Sequence, residues 1–246
     1  MHTATHTASG LYVQTSNIRR QLPMNDMTAA KHAAARAAVA HVTPGMLLGI
    51  GSGSTVHALI EELGKTSLGV RCVPASCESA DACRNAGIPL EELGKSMLDL
   101  VIDGADVIDN DGHVLKGLGG ALVREKILAQ AARKWILIVD ETKLVDPFGG
   151  TVPVELIPYG MQRTIGRIEE CVQVESTLRE RSGAPFVTDN GNYILDVPIP
   201  RIEDPERLDR ILVSIAGVVG TGLFVNLHPH VVVSAMNGVT REWDCP

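Results

Sequence analysis

Four short apolar stretches punctuate the first 140 residues: MLLGIG (46–51), the segment around 70–73, LDLVID (98–103) and WILIVD (135–140). Apart from Arg71, Asp99 and the closing Asp103 and Asp140, each is a continuous run and does not alternate apolar with polar. That pattern belongs to strands buried on both faces, as in a parallel sheet sandwiched by helices. The intervening segments have helical spacing. Residues 29–42 are Ala-rich and end at Pro44-Gly45. Val56, Leu59, Ile60 and Leu63 recur at i, i+3, i+4 and i+7, with Gly64 as the stop. Helices are also expected over 79–86 and 121–132, the second preceded by the glycine loop Gly117–Gly120.

After Gly150 the rhythm changes. VPVEL (152–156) reads as a strand, 161–172 as a helix, and 185–197 as a hairpin turning at Asn190-Gly191. Asp204 caps a helix that opens on Pro205, with a stripe of Leu208, Ile211, Leu212 and Ile215 and a stop at Gly217. A strand over 218–225 completes a β-α-β-β-α-β series, the order of a ferredoxin-like unit. HVVVSA (230–235) is expected back in the parallel sheet. The fold class expected is α/β: an open, mostly parallel Rossmann-like sheet (27–150 and 226–246) with an inserted ferredoxin-like α+β domain (151–225). Residues 1–26 are Thr-rich, hold one acid at the very end, and lack the apolar core of a signal peptide. They read as a disordered extension or the product of an upstream start, since Met24 and Met27 both offer initiation; the composition also allows a transit peptide.

Charge and composition remove whole classes of function. The 22 Lys and Arg against 29 Asp and Glu leave a net charge of -7, so no general affinity for nucleic acid or anionic membrane is expected. Aromatics at 3% are too few for a base-stacking surface, and no apolar run approaches the ~18 residues of a membrane span. Five cysteines without a repeated CxxC read as free thiols of a reducing compartment, hence a cytoplasmic setting. His228-Pro-His230 is the only close histidine pair and has no acid or cysteine at ligand spacing, so no metal site is expected.

Four clusters are candidates for chemistry. Gly49-Ile50-Gly51-Ser52-Gly53-Ser54-Thr55 joins a strand to a helix, where free amides and the helix dipole suit a phosphate. Ser54 at the third glycine position argues against a dinucleotide fingerprint, and no Lys precedes Ser54-Thr55 as a Walker loop requires. Asp103-Gly104-Ala105-Asp106 ends the third strand, at the edge where open parallel sheets bind ligands. Lys116 and the amides of Gly117, Leu118 and Gly119 are placed to hold a developing oxyanion. Glu125 follows, one turn into a helix between Leu122 and Leu128, where an apolar sector suits a base. Lys143 lies just past the fourth strand. Taken singly, these clusters read equally well as a tight turn with its N-cap, an Asx turn, a surface salt-bridge helix of Arg124, Glu125 and Lys126, and a solvated charge. Taken together, the fold brings them to one rim.

The chain resembles the type A ribose-5-phosphate isomerase family from about residue 31 to residue 239. The likeness rests on GIGSGST (49–55), DGAD (103–106), KGLGGALVREK (116–126), DETKLV (140–145), PVELIP (153–158), VTDNGNYILD (187–196) and GVVGTGLF (217–224). It implies that the inserted domain is a lid, and that the substrate is a small sugar phosphate, ribose 5-phosphate or ribulose 5-phosphate, handled with neither metal nor organic cofactor. It further implies that Ser52, Gly53, Ser54 and Thr55 hold the phosphate, with Lys31 and Lys143 as nearby cations. Asp103 and Asp106, with Gly104 and Ala105 between them, would meet the sugar hydroxyls, and Asp103 would assist ring opening. Lys116 with Gly117, Leu118 and Gly119 would stabilise an enediolate, and Glu125 would accept the proton. A homodimer or homotetramer is implied. Val107 stands where many relatives carry an acid, and Leu118 fills a variable position in the glycine loop.

Two other enzyme classes on related folds remain as alternatives, a sugar-phosphate deaminase and an acyl-CoA transferase with a Glu nucleophile. The KGxGGA-x3-E and DGAD patterns favour the isomerase. A sugar-phosphate sensor would need a DNA-binding helix pair, for which the N-terminal segment is too short.

Overall fold

The computed structural model describes residues 24–246. Helix α1 (Met24–Val39) leads into β1 (Leu47–Ile50), α2 (Ser54–Gly64), β2 (Arg71–Pro74), α3 (Cys77–Asn85) and β3 (Leu100–Asp103). Two short strands, β4 (Val107–Ile108) and β5 (Val114–Leu115), precede α4 (Leu122–Gln130) and β6 (Trp135–Asp140). The second half holds β7 (Gly150–Leu156), α5 (Met161–Val172), β8 (Thr177–Leu178), β9 (Glu180–Arg181), β10 (Ala184–Pro185) and β11 (Tyr193–Ile199). It ends with α6 (Pro205–Val213), β12 (Val218–Thr221), β13 (Leu223–Phe224), β14 (His230–Ser234) and β15 (Thr240–Asp244). The reading of residues 1–26 as an extension falls outside the described residues, except that α1 already begins at Met24, five positions before the expected start.

The main sheet has the order β15-β14-β6-β3-β1-β2. All its pairs are parallel except β14 with β15. All six residues of β6 are buried, as its unbroken apolar run requires. Side chains alternate across the sheet. Ile136 and Ile138 join Ile50, Ile102 and Val232 under α1 and α2, whereas Leu137 and Val139 join Val101, Val231 and Val233 under α4 and Phe224. Chain order reverses between β1 and β3, so the C-terminal ends of these two strands flank the crevice where open α/β sheets take their ligands.

A second sheet, β12-β7-β11-β8, is wholly antiparallel. Numbered within its own segment, that order is 4-1-3-2, with α5 and α6 as the two crossovers, which is the ferredoxin-like arrangement. Val152, Val154, Leu156, Leu195 and Val197 pack against Ile168 of α5 and Leu212 of α6 to form its core. Asp204 caps α6 as expected, accepting from the Arg207 amide at 2.9 Å.

Two expected elements differ and one strand was not expected. The 185–197 hairpin is reduced to one bridge, Val187 with Tyr193, although the turn at Asn190-Gly191 forms. Thr188, Asn190 and Asn192 turn inward instead and donate to the buried Glu155 carboxylate, so β11 pairs with β7 and β8. The 218–225 strand breaks at Gly222. Its amide donates to Pro153 O at 2.7 Å and its carbonyl accepts from Lys116 N at 2.9 Å, so the chain crosses from the second sheet to a small one, β13-β5-β4. The antiparallel edge strand β15 carries the polar sequence TREWD, which gives no apolar run to detect. Among the described residues, no helix is long and apolar enough to cross a membrane.

Candidate active site

Two glycines shape the first turn of the crevice. A Cβ on Gly51 would lie 1.8 Å from Asp103 Oδ1, so only glycine lets the two strand ends approach. Gly53, the residue before α2, has φ 94, a left-handed conformation that L side chains avoid. Asp103 Oδ1 accepts from the Ser52 amide at 3.2 Å and the Gly104 amide at 2.7 Å. The first turn of α2 has no side-chain cap, so its amides point into the open crevice, the arrangement that suits an anion.

Below this turn lies a buried charge triad. Lys116 Nζ donates to Gly104 O at 2.6 Å and stands 3.0 Å from Asp103 Oδ2 and 3.3 Å from Glu125 Oε2. All three side chains are almost wholly buried. Burial alone would weaken the Lys116 ammonium, but the Asp103 and Glu125 carboxylates outweigh it and hold the pKa above the ordinary lysine value. Asp103 is shifted upward, by burial first and by the Glu125 charge second, against the pull of Lys116. Asp106 is also shifted upward by burial, opposed by the Leu118 amide, which donates to its Oδ2 at 3.0 Å.

Glu125 is where helix periodicity meets the triad. Leu122 and Leu128, at i−3 and i+3, are both buried, and Glu125 is only 3% exposed between them. The surface salt-bridge alternative therefore fails. Arg124 reaches Asp189 and Asn190, and Lys126 reaches Asp209 and the Leu223 carbonyl. Ser52 Oγ donates to Glu125 Oε1. Oε2 has no hydrogen-bond donor, because Lys116 approaches it outside bonding geometry. One carboxylate oxygen is thus held by a hydroxyl, and the other faces the Lys116 ammonium without a hydrogen bond.

These groups meet in a cavity of about 190 Å³. That is below the ~300–1,000 Å³ of pockets for drug-sized ligands and suits a small molecule. Of the residues singled out in the sequence, Lys31, Ser52, Gly53, Ser54, Thr55, Gly104, Ala105, Asp106, Lys116, Gly117, Gly119, Glu125 and Lys143 line it. Asp103 and Leu118 do not. Asp103 sits beneath the rim, and Leu118 is 58% exposed. Two lining residues were not anticipated, Met27 and Asp140. Asp140 ends β6 as Asp103 ends β3, so the same strand-end rule identifies it. Arg179 was also missed. Its guanidinium, ion-paired to Asp196, donates to the Gly117 carbonyl at 2.7 Å and the Leu118 carbonyl at 3.0 Å, pinning the glycine loop from the second sheet. Nothing near position 179 in the sequence signals this, because Gly117 and Leu118 lie more than sixty residues away.

Fold and site define an open-sheet α/β protein in which a helix-start anion cradle faces a buried carboxylate held by a hydroxyl and an ammonium. The family model of ribose 5-phosphate isomerase A (phosphoriboisomerase A) matches residues 71–238. The chain is 41% identical over 224 residues to ribose-5-phosphate isomerase A 1 of Oceanobacillus iheyensis, covering 88% of this chain and 99% of the relative. It is 42% identical over 221 residues to the ribose-5-phosphate isomerase A of Deinococcus radiodurans, covering 87% and 97%. Among solved structures, the ribose 5-phosphate isomerase from Plasmodium falciparum superposes with TM-score 0.83 at 33% identity, over 89% of this chain and 98% of that one. A D-ribose-5-phosphate isomerase in complex with phospho-erythronic acid gives TM-score 0.81 at 32% identity, over 87% and 97%. The chain belongs to the ribose 5-phosphate isomerase A family of enzymes.

Proposed function

We propose that this protein interconverts D-ribose 5-phosphate and D-ribulose 5-phosphate through an enediolate, with neither metal nor organic cofactor. The observation that carries the reading is the pairing of an anion cradle with Glu125, whose Oε1 is tied to Ser52 while Oε2 lacks a donor. The phosphate binds the amides of α2 and the hydroxyls of Ser52, Ser54 and Thr55, between Lys31 and Lys143. Its binding energy holds the reacting carbons in place. Glu125 removes the C2 proton of the open-chain aldose and returns it to C1. Negative charge spreads over O1 and O2, where Lys116 and the amides of Gly117 and Gly119 stabilise it while the hydroxyl proton passes from O2 to O1. Asp106 faces the cavity and offers its carboxylate to a sugar hydroxyl. Asp103, beneath the rim, acts on the ring-opening step through Lys116 and the Ser52 turn. The complex of a structurally similar isomerase with phospho-erythronic acid supports a phosphorylated sugar ligand. Residues 151–225 fit the part of a lid, since Arg179 reaches from them to the loop that binds the enediolate.

The test is conversion of ribose 5-phosphate to the ketose by purified protein in excess chelator. Full turnover is expected; activity lost in chelator and restored by one metal contradicts the metal-free step, and no turnover under any condition contradicts the function. Lys143→Ala and Thr55→Ala are expected mainly to raise KM, because both groups bind the substrate end remote from the chemistry. A fall in kcat alone in either variant would remove it from the phosphate grip.

A further inference from the structure

At the opposite end of the main sheet, three side chains from distant parts of the chain converge. His230 opens β14 and pairs with Ile136 at the start of β6, whereas the reactive rim lies at the strands' C-terminal ends. His41 follows α1, and Glu242 lies on β15. The Nε2 atoms of His41 and His230 stand 2.9 Å and 3.1 Å from the same oxygen, Glu242 Oε2. One nitrogen from each imidazole and one carboxylate oxygen all fall within 4.8 Å of one another. Asp244, directly opposite His230 on β15, faces its other nitrogen: Nδ1 is 2.7 Å from Asp244 Oδ1. With an ion bound, a proton on Nδ1 shared with Asp244 leaves the Nε2 lone pair for the metal between His41 and Glu242.

We propose that His41, His230 and Glu242 form a site for a zinc-type divalent ion, with Asp244 orienting His230 from behind. Two imidazoles and a carboxylate are the ligand set zinc takes, and a carboxylate behind a ligating histidine is its usual support. Tetrahedral zinc with bonds of ~2.0–2.1 Å holds its ligand atoms about 3.3 Å apart. The two nitrogen–oxygen separations need to widen by only a few tenths of an ångström. Glu242 and Asp244 bring two negative charges, against one from Lys134, whose ammonium is 3.5 Å from His41 Nδ1. Lys134 is exposed and free to swing away as the ion enters. His230 is the most enclosed of the three ligands, its side chain 12% exposed. The bound ion would fasten the end of α1 to the last two strands, and has no part in the isomerisation. The sequence conceals this site because His41 lies 201 residues from Glu242.

The experiment is zinc titration of the full chain, first stripped with chelator, read by a competing chromogenic chelator and by thermal melting. One zinc per chain is expected, with Tm raised by about 5–10 °C at a free zinc concentration ~100-fold above Kd. Magnesium at the same concentration should leave Tm unchanged. His41→Gln and His230→Gln should each abolish the shift while keeping zinc-free turnover, and Asp244→Asn should weaken zinc ~10–100-fold. His41→Gln, at the more exposed ligand, keeps the test decisive if the His230 variant folds poorly. Absence of saturable zinc binding, or binding that survives both histidine substitutions, overturns the proposal.

Discussion

Glu125→Gln is expected to lower kcat by about 10²–10⁴-fold, the share that a positioned general base contributes, with KM close to that of the parent. The substitution keeps volume and shape. The carboxamide oxygen still accepts from Ser52 Oγ, and the flanking Leu122 and Leu128 still pack. What disappears is the carboxylate oxygen without a hydrogen bond, replaced by an amide nitrogen that cannot take a proton from carbon. Steady-state kinetics on folded protein checks this. Near-parental turnover would remove Glu125 from the base role, whereas a rise in KM with kcat intact would recast it as a binding group.

The largest effect on stability is expected from Lys116→Met. It leaves Asp103 and Glu125 buried near one another with no counter-charge. Removing one partner from a buried ionic group costs about 3–5 kcal/mol. For a chain of this size that lowers Tm by roughly 6–20 °C at neutral pH. The deficit has a defined pH dependence. In the native parent, burial and Glu125 already hold the Asp103 pKa above its ordinary value even with Lys116 present. Without the ammonium, Asp103 is pushed further upward and keeps a proton that the unfolded chain, titrating near pH 4, has released. The parent holds Asp103 at about 7, so stability of the variant relative to the parent falls as pH rises through that value, and the Tm gap is wider at pH 8 than at pH 5. Melting curves at the two pH values decide it. A gap of equal size at both would mean that lost packing, and not unpaired charge, is responsible.

The parts of the molecule legible in the sequence are those where one local signal and one fold rule agree. WILIVD and the LVI of LDLVID announce central strands because burial on both faces excludes polar residues until the closing Asp. Asp103 and the Ser52–Thr55 turn then follow from the rule that ligands bind at strand C-termini. Glu125 is legible only in part: its leucine neighbours mark a buried face, yet Arg124 and Lys126 mimic a surface salt-bridge helix until Asp189 and Asp209 are seen to claim them. Long-range polar contacts are not legible. Arg179 grips the glycine loop, Asn190 and Asn192 abandon a hairpin to cover Glu155, and His41 meets Glu242, each through side chains whose partners no periodicity links. Gly222 breaks an apolar run that reads as one strand because the chain must bond Pro153 on one side and Lys116 on the other.

A crystal structure of the Glu125→Gln variant with ribose 5-phosphate bound tests the pairing of cradle and base most directly. The phosphate should rest on the first turn of α2 between Lys31 and Lys143, with the C2 carbon about 3–3.5 Å from the residue 125 side chain, as a near-attack geometry requires. A phosphate seated elsewhere, or a C2 carbon turned away from residue 125, would contradict the account.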